Sequence, residues 1–323
     1  MKDCTAISPR RSSRKRVWHF RFLLTSRRYW SPMRSGSSAA EARGARGGTE
    51  GFLPWFLLLP AVTFILVMYV YPFALSIIRS FTDETGSLSL VNYHKAVSLY
   101  GRDILFSIQV AVLGTLISTM LSLALAAYIR LSNSRIARLV NSMSRLGIFL
   151  PYVVVAQMMR SFLAPHGLLN VLLANMGIVD IDAPLRLFNI WGLTFGFLWK
   201  ETPFITFIVL SGLQVIDDTY IEAARSVGAK TRQVVLRILL PMIKPTIAIA
   251  VVLTFCTIVS TFTLPYMIVA GTPTTVTVDI AHRVTYFGDY RVASALGVFL
   301  YLIVGVMAIY YLRRTVREEV YGY

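Results

Sequence analysis

Long apolar runs alternate with short polar stretches along the chain. A helix needs about 20 apolar residues to cross the hydrocarbon core of a bilayer. Six runs answer to that length: Trp55 to Ile78, Ile104 to Ile129, Leu146 to Met159 extended by Ser161 to Ala164, Leu187 to Ile216, a run within Thr246 to Val278, and Val292 to Leu312. The pattern predicts an all-α membrane protein with six transmembrane helices. Prolines interrupt four of these runs, at Pro60 and Pro72, Pro151, Pro203 and Pro265. In lipid such breaks are tolerated where neighbouring helices and hydroxyl side chains take up the freed carbonyls. They are read either as packing kinks or as gating elements.

Composition agrees with the pattern. Hydrophobic residues make up 55% of the 323, charged residues only 15%, and mean hydropathy is +0.62. Soluble domains carry about a quarter charged residues, so an ordinary cytosolic enzyme, a disordered chain and a disulfide scaffold are all excluded. Cys4 and Cys256 form no metal spacing and no disulfide framework. The net charge of +16 raises nucleic acid as a partner. Its distribution points elsewhere, to one N-terminal tail and to loops between apolar runs.

Residues 1–50 hold twelve Lys and Arg and no long apolar run. Arg10-Arg11 imitates a twin-arginine signal, but the stretch behind it is short and broken by Arg21. The tail is expected to be a disordered cytoplasmic extension, in part a displaced start, or a segment that grips anionic lipid with Trp18, Phe20 and Phe22 among its arginines. Basic residues fix the orientation of the spans. The loop after the second run holds Arg130, Arg135 and Arg138, the loop after the fourth holds Arg225, Lys230, Arg232, Arg237 and Lys244, and the C-terminal end holds Arg313, Arg314 and Arg317. The alternate loops balance their basic residues with Asp and Glu. Both termini are therefore expected inside. The chain is divided into a tail (1–50), a first helix with its outer loop (51–103), a core of spans (104–318) and a cytoplasmic end (319–323).

The loop 217–241 is the most informative segment. Asp217 or Asp218 is placed to cap a short helix, Gly228 to end it in a left-handed conformation, and Thr231 to cap a second helix running to Leu240, before Pro241 and Pro245 redirect the chain. Ala223 and Ala224 give a surface another backbone can approach closely. Glu222, Arg225, Lys230 and Arg232 give it polar handles. Physics alone allows two readings, a knob that seats in a partner's groove or a plain amphipathic helix at the interface.

The same residues carry a resemblance. Glu222-Ala223-Ala224, three residues, Gly228, nine residues, Ile238, one residue and Leu240-Pro241 match the EAA motif at every spacing. That motif marks the membrane subunits of binding-protein-dependent ATP-binding-cassette (ABC) importers, and the resemblance extends over roughly 51–318. It implies the type I importer transmembrane domain in a bacterial or archaeal inner membrane. It also implies that Glu222, Ala223, Ala224 and Gly228 dock on an ATPase, supported by Ile238, Leu240 and Pro241. The implied partners are two ATPase subunits, a second permease (identical or related) and an extracytoplasmic solute-binding protein, besides the lipid bilayer.

The chain itself offers no chemistry. Gly228-Ala229-Lys230-Thr231 lacks the glycines of a phosphate-binding loop, so no cofactor is expected here and ATP is left to the partner. No catalytic triad is legible, and His19, His94, His166 and His282 are too scattered to ligate a metal. Neither an enzyme nor a nucleic-acid binder is expected.

Lys200 and Glu201 lie within the fourth run, where charges are costly and face a cavity or a partner. They either line the solute path or pair with another span. Thr257, Ser260, Thr261 and Tyr266, near Pro265, suit polyhydroxylated or amine-bearing solutes, or else hydrogen-bond between helices. Two subfamily likenesses compete. Trp199-Lys200 with Pro203-Phe204, Leu213-Gln214 and Ala293-Ser294-Ala295-Leu296 are most similar to sugar permeases, whereas Phe56 to Pro60 and Tyr71-Pro72 are shared with polyamine permeases. Sugars or sugar-like polyols are the favoured reading, with polyamines, phosphonates and ferric ion as the alternatives. An ion-coupled secondary transporter is the rival of another class; it needs buried acids in its spans, and only Glu201 qualifies.

Overall fold

The computed structural model describes residues 53–269 and 271–321. The basic tail 1–50 lies outside the described residues, as do 322–323. The chain falls into two units, Met1–Val62 and Thr63–Tyr323. Of the first, only the start of one helix is described. Everything after Val62 belongs to the second.

All regular structure among the described residues is helical, apart from a single bridge between Thr82 and Leu88. Helix α1 is Leu53–Ile65 and α2 is Tyr71–Ser80. A wide π turn, Leu66–Val70, joins them, with the Tyr71 N–H bonded to the Leu66 carbonyl. The turn stands just ahead of Pro72, whose ring has no N–H and crowds the carbonyl four residues back. Helix α3 (Val91–Leu131) is a single 41-residue element, far longer than its apolar run. Its first turns, with Tyr93, Lys95 and Arg102, stand beyond the stretch that hydropathy detects.

The third run does not form one straight helix. It is split between α4 (Arg135–Ile148) and α5 (Tyr152–Leu163), whose path, continued through α6 (Leu168–Asn175), is bent by 112°. Pro151 is the cause. It disfavours helical geometry at Leu150 and sits at the N-cap of α5 with ψ 144°. Helix α7 (Ile190–Val215) continues through Pro203. The loop 217–241 then gives α8 (Asp218–Ser226), α9 (Thr231–Val234), a second π turn (Val235–Leu239) and α10 (Leu240–Met242). This π turn also stands just ahead of a proline, Pro241. Helices α11 (Lys244–Ser260), α12 (Thr263–Ile268), α13 (Val276–Phe287) and α14 (Tyr290–Tyr321) complete the chain. The run within 246–278 is thus α11, a break at Thr261-Phe262, α12, a loop and the first turn of α13.

Four helical stretches are long and apolar enough to span alone, and two bent pairs raise the number to six. Helix α7 is the centre: 56% of its most apolar window is buried, against 22% for α14. It packs on α3 along a seam of small polar residues. Thr115, Ser118, Thr119 and Ser122 of α3 are all buried, and the Ser122 hydroxyl donates to the Thr202 carbonyl at 3.0 Å. Small side chains let membrane helices approach closely where no hydrophobic effect drives them together. One end of the bundle is filled by Phe106, Val110, Met159, Leu163, Phe197 and Ile258, the other by Ile205, Val209, Leu213, Leu239, Ile243 and Ala250.

Candidate functional site

The elbow forms as its residues dictate. The Asp217 carboxylate accepts the Thr219 N–H at 2.8 Å, capping α8, and these hydrogen bonds hold its carboxyl below the usual carboxylate range. The helix ends where Gly228 takes φ +82°, which costs other residues about 1–2 kcal/mol. Thr231 does not cap the second helix. Lys230 occupies that position, its N–H bonded at 2.8 Å to the Gln233 side chain, and Thr231 is the first helical residue.

Helix α8 has two faces. Ile221 and Ala224 turn inward and join Leu213, Ile216, Val234, Leu239 and Ile243 in the core. Glu222, Ala223, Ser226, Val227 and Gly228 face out, with Val227 85% exposed. Ala224 therefore anchors the helix and does not lie on its exposed face. Ile238 and Leu240 likewise pack against this core, and Pro241 is exposed. A shallow cleft lies beside the exposed face, lined by Val227, Gly228, Ala229, Gln233, Arg237 and Ile238.

One residue that charge placement counts only toward orientation ties the elbow to the bundle. Arg130, in the last turn of α3, donates from Nε to the Leu213 carbonyl at 3.1 Å and from a terminal nitrogen to the Ile216 carbonyl at 2.9 Å. The same nitrogen meets Asp218 at 2.6 Å. A single guanidinium thus closes the open carbonyls at the end of α7, where a cation suits the dipole, and grips the start of α8. The partners lie more than 80 residues from Arg130 in the chain, so no local pattern announces them.

The intramembrane charges have answers too. No ion pair joins Lys200 to Glu201. Glu201, almost fully buried, accepts the Tyr152 hydroxyl at 2.6 Å. The Lys200 ammonium donates to the Ile148 carbonyl at 3.3 Å and lies 4.9 Å from the centre of the Tyr152 ring. It thereby answers one carbonyl at the α4–α5 bend. The Thr261 side chain approaches the same phenol. Tyr152 therefore sets Lys200 and Glu201 beside Thr261, whose hydroxyl bonds to the Thr257 carbonyl next to Ser260 at the end of α11 remote from the elbow, and Tyr266 follows on α12. The sequence presents these as two separate groups; the structure makes them one strip. Tyr152, the residue that joins them, had no signal beyond its place after Pro151.

Beyond this strip the loop into α13 is anchored on α3. Asp103 accepts the Thr274 N–H at 2.7 Å, and Ser107 accepts the Val276 N–H at 2.9 Å. Asp279 is buried nearby with one carboxyl oxygen unpartnered. Burial, aided by the charge of Asp103 and opposed by Arg283, pushes its carboxyl up to about 7.

Comparison with known proteins decides the family. The model of the binding-protein-dependent transport system inner membrane component matches residues 118–317. The chain belongs to this family. The match takes in the whole elbow and every residue of the strip. It makes the protein an inner-membrane permease component of an ABC importer. Among its relatives, the trehalose/maltose transport system permease protein MalF of Thermococcus litoralis is 27% identical over 82% of this chain and 94% of its own. The sulfoquinovosyl glycerol transport system permease protein SmoG of Agrobacterium fabrum is 27% identical over 82% and 90%. Among solved structures, a chain of a bacterial ABC transporter involved in the import of the acidic polysaccharide alginate superposes with a TM-score of 0.72. It is 22% identical, over 83% of this chain and 96% of that one. This likeness establishes the importer transmembrane fold.

Proposed function

We propose that this permease forms half of the pathway for a sugar or sugar-like solute handed over by a solute-binding protein. The other half comes from a second permease, identical or related. ATP is bound and hydrolysed by separate subunits that dock on the outer face of α8, and both termini lie in the cytoplasm. One observation carries the reading. Glu222, Ala223 and Gly228 stand exposed on a helix whose other face is locked into the bundle by Ile221, Ala224 and Arg130. A push on the exposed side is therefore delivered to α3 and α7 together. ATP-driven closure of the partners would bias the bundle between two states by binding one better than the other.

The sugar assignment is supported by the carbohydrate names of the full-length relatives and by the hydroxyl strip. Charge placement supports the orientation. The test is a single cysteine at Ser226. It is expected to react with a membrane-impermeant maleimide in inside-out vesicles, to be protected when the ATPase subunits are bound, and to be silent in intact cells. Labelling from outside would sink the scheme. With the complex reconstituted, uptake of labelled trehalose or maltose is expected to require ATP; uptake of spermidine instead would overturn the solute class.

A further inference from the structure

Four aromatic side chains form an unbroken row next to the hydroxyl strip. Phe262 and Tyr266 stack at 4.9 Å with their planes 24° apart. Tyr266 meets His282 at 6.2 Å, and His282 meets Tyr286 at 5.5 Å, both edge to face. Each helix contributes a pair spaced by one turn, 262 and 266 at α12, 282 and 286 on α13. The row is fixed where the helices meet, because the Thr277 hydroxyl donates to the Thr261 carbonyl at 3.0 Å. The rings are nonetheless open: Phe262 is 38% exposed, Tyr266 50% and Tyr286 71%.

We propose that this row is a binding surface for the apolar faces of sugar rings and leads the solute onto Thr257, Ser260 and Thr261; the proposal rests on the sugar reading above. The chemistry is complementary at both edges. The C–H faces of a pyranose carry slight positive charge and meet the negative face of an aromatic ring. The strip below is a row of acceptors. Thr257 donates its proton to the Leu253 carbonyl, Ser260 to Cys256 and Thr261 to Thr257, at 2.7–2.8 Å. Their oxygens keep lone pairs for the hydroxyl protons of a polyol. No carboxylate stands in the row. The neighbouring Arg283 is engaged with Tyr100, Phe287 and Asp289, so the surface selects a neutral ring over a polycation. Aromatic anchors of a membrane interface also lie at helix ends. These rings touch one another in a line that runs into hydroxyls.

The test uses the full complex in proteoliposomes, with permease partner, ATPases and binding protein, and labelled trehalose or maltose. Loss of two ring faces predicts that Tyr266→Leu with Tyr286→Leu slows uptake about tenfold. Tyr266→Phe with Tyr286→Phe keeps it within about twofold, because the ring is retained. If the unaltered complex carries no sugar, the sugar reading fails and the row falls with it. If it carries sugar and the leucine variants match it, the row alone is refuted. If the leucine variants, single or double, no longer assemble with the second permease on size exclusion, the row is a subunit contact and the proposal is overturned.

Discussion

Removing the Arg130 guanidinium is expected to loosen the elbow without unfolding the spans. Arg130→Met keeps a long apolar stem and deletes three contacts at once. Two are charged hydrogen bonds to the Leu213 and Ile216 carbonyls, each worth about 1.5–3 kcal/mol when the donor is ionised. The third, to Asp218, is short at 2.6 Å, yet that carboxylate is 69% exposed. A pair so screened contributes about 0.2–1 kcal/mol. After allowing for water reaching one carbonyl, the loss is about 3 kcal/mol, almost all of it from the α7 end. Local opening of the 213–221 segment should therefore rise about a hundredfold. Hydrogen exchange of these amides in nanodiscs reads this directly, and solute moved per ATP hydrolysed reads its consequence. Asp218→Asn is the control and should shift protection by less than about fivefold. Equal effects from the two variants would mean that the surface ion pair, not the carbonyl clamp, holds the elbow. An unchanged exchange pattern in Arg130→Met would refute the linkage altogether.

Three further outcomes are expected. Gly228→Ala forces a side chain into φ +82° and should cost about 1–2 kcal/mol locally, impairing ATPase docking in pull-down assays while membrane insertion is kept. Gly147→Leu places a Cβ 2.8 Å from Pro203 Cγ, a rigid ring; about 1–3 kcal/mol of strain should appear as a lower melting temperature in detergent. Asp279 has a folded value near 7 against an ordinary 3.8, so its loop is favoured most at low pH. That advantage declines as pH rises from about 4 to about 7 and is constant above. Exchange at 274–280, corrected for intrinsic rate, should accelerate over the upper part of that range, and Asp279→Asn should abolish the dependence.

The elbow was legible because its determinants are local: an acid at a helix start, a glycine at its end and prolines behind lie within one short segment. The spans were legible because lipid demands an apolar length. The bends were less so. Pro151 was visible, but whether a proline is carried within a helix, as at Pro203, or splits it, as at Pro151, depends on what packs against the gap. Here Lys200 answers a carbonyl beside the break. The π turns ahead of Pro72 and Pro241 left no trace in hydropathy. Arg130, Tyr152 and His282 act through partners distant in the chain. His282 read as a stray surface histidine until the fold brought Tyr266 to its ring. The inward turn of Ala224 and outward turn of Ala223 follow only from the phase of α8 on its core.

The exposed flank of the first helices has a practical consequence. Phe64, Met68 and Tyr69 are 59%, 58% and 68% bare, and no neighbouring side chain among the described residues shields them. Acyl chains or another subunit are the cover such a strip takes in a membrane. Stripped of both, during harsh extraction for example, molecules would be expected to adhere to one another through this oily strip, and a mild amphiphile or co-expression with partners is the remedy the side chains themselves prescribe.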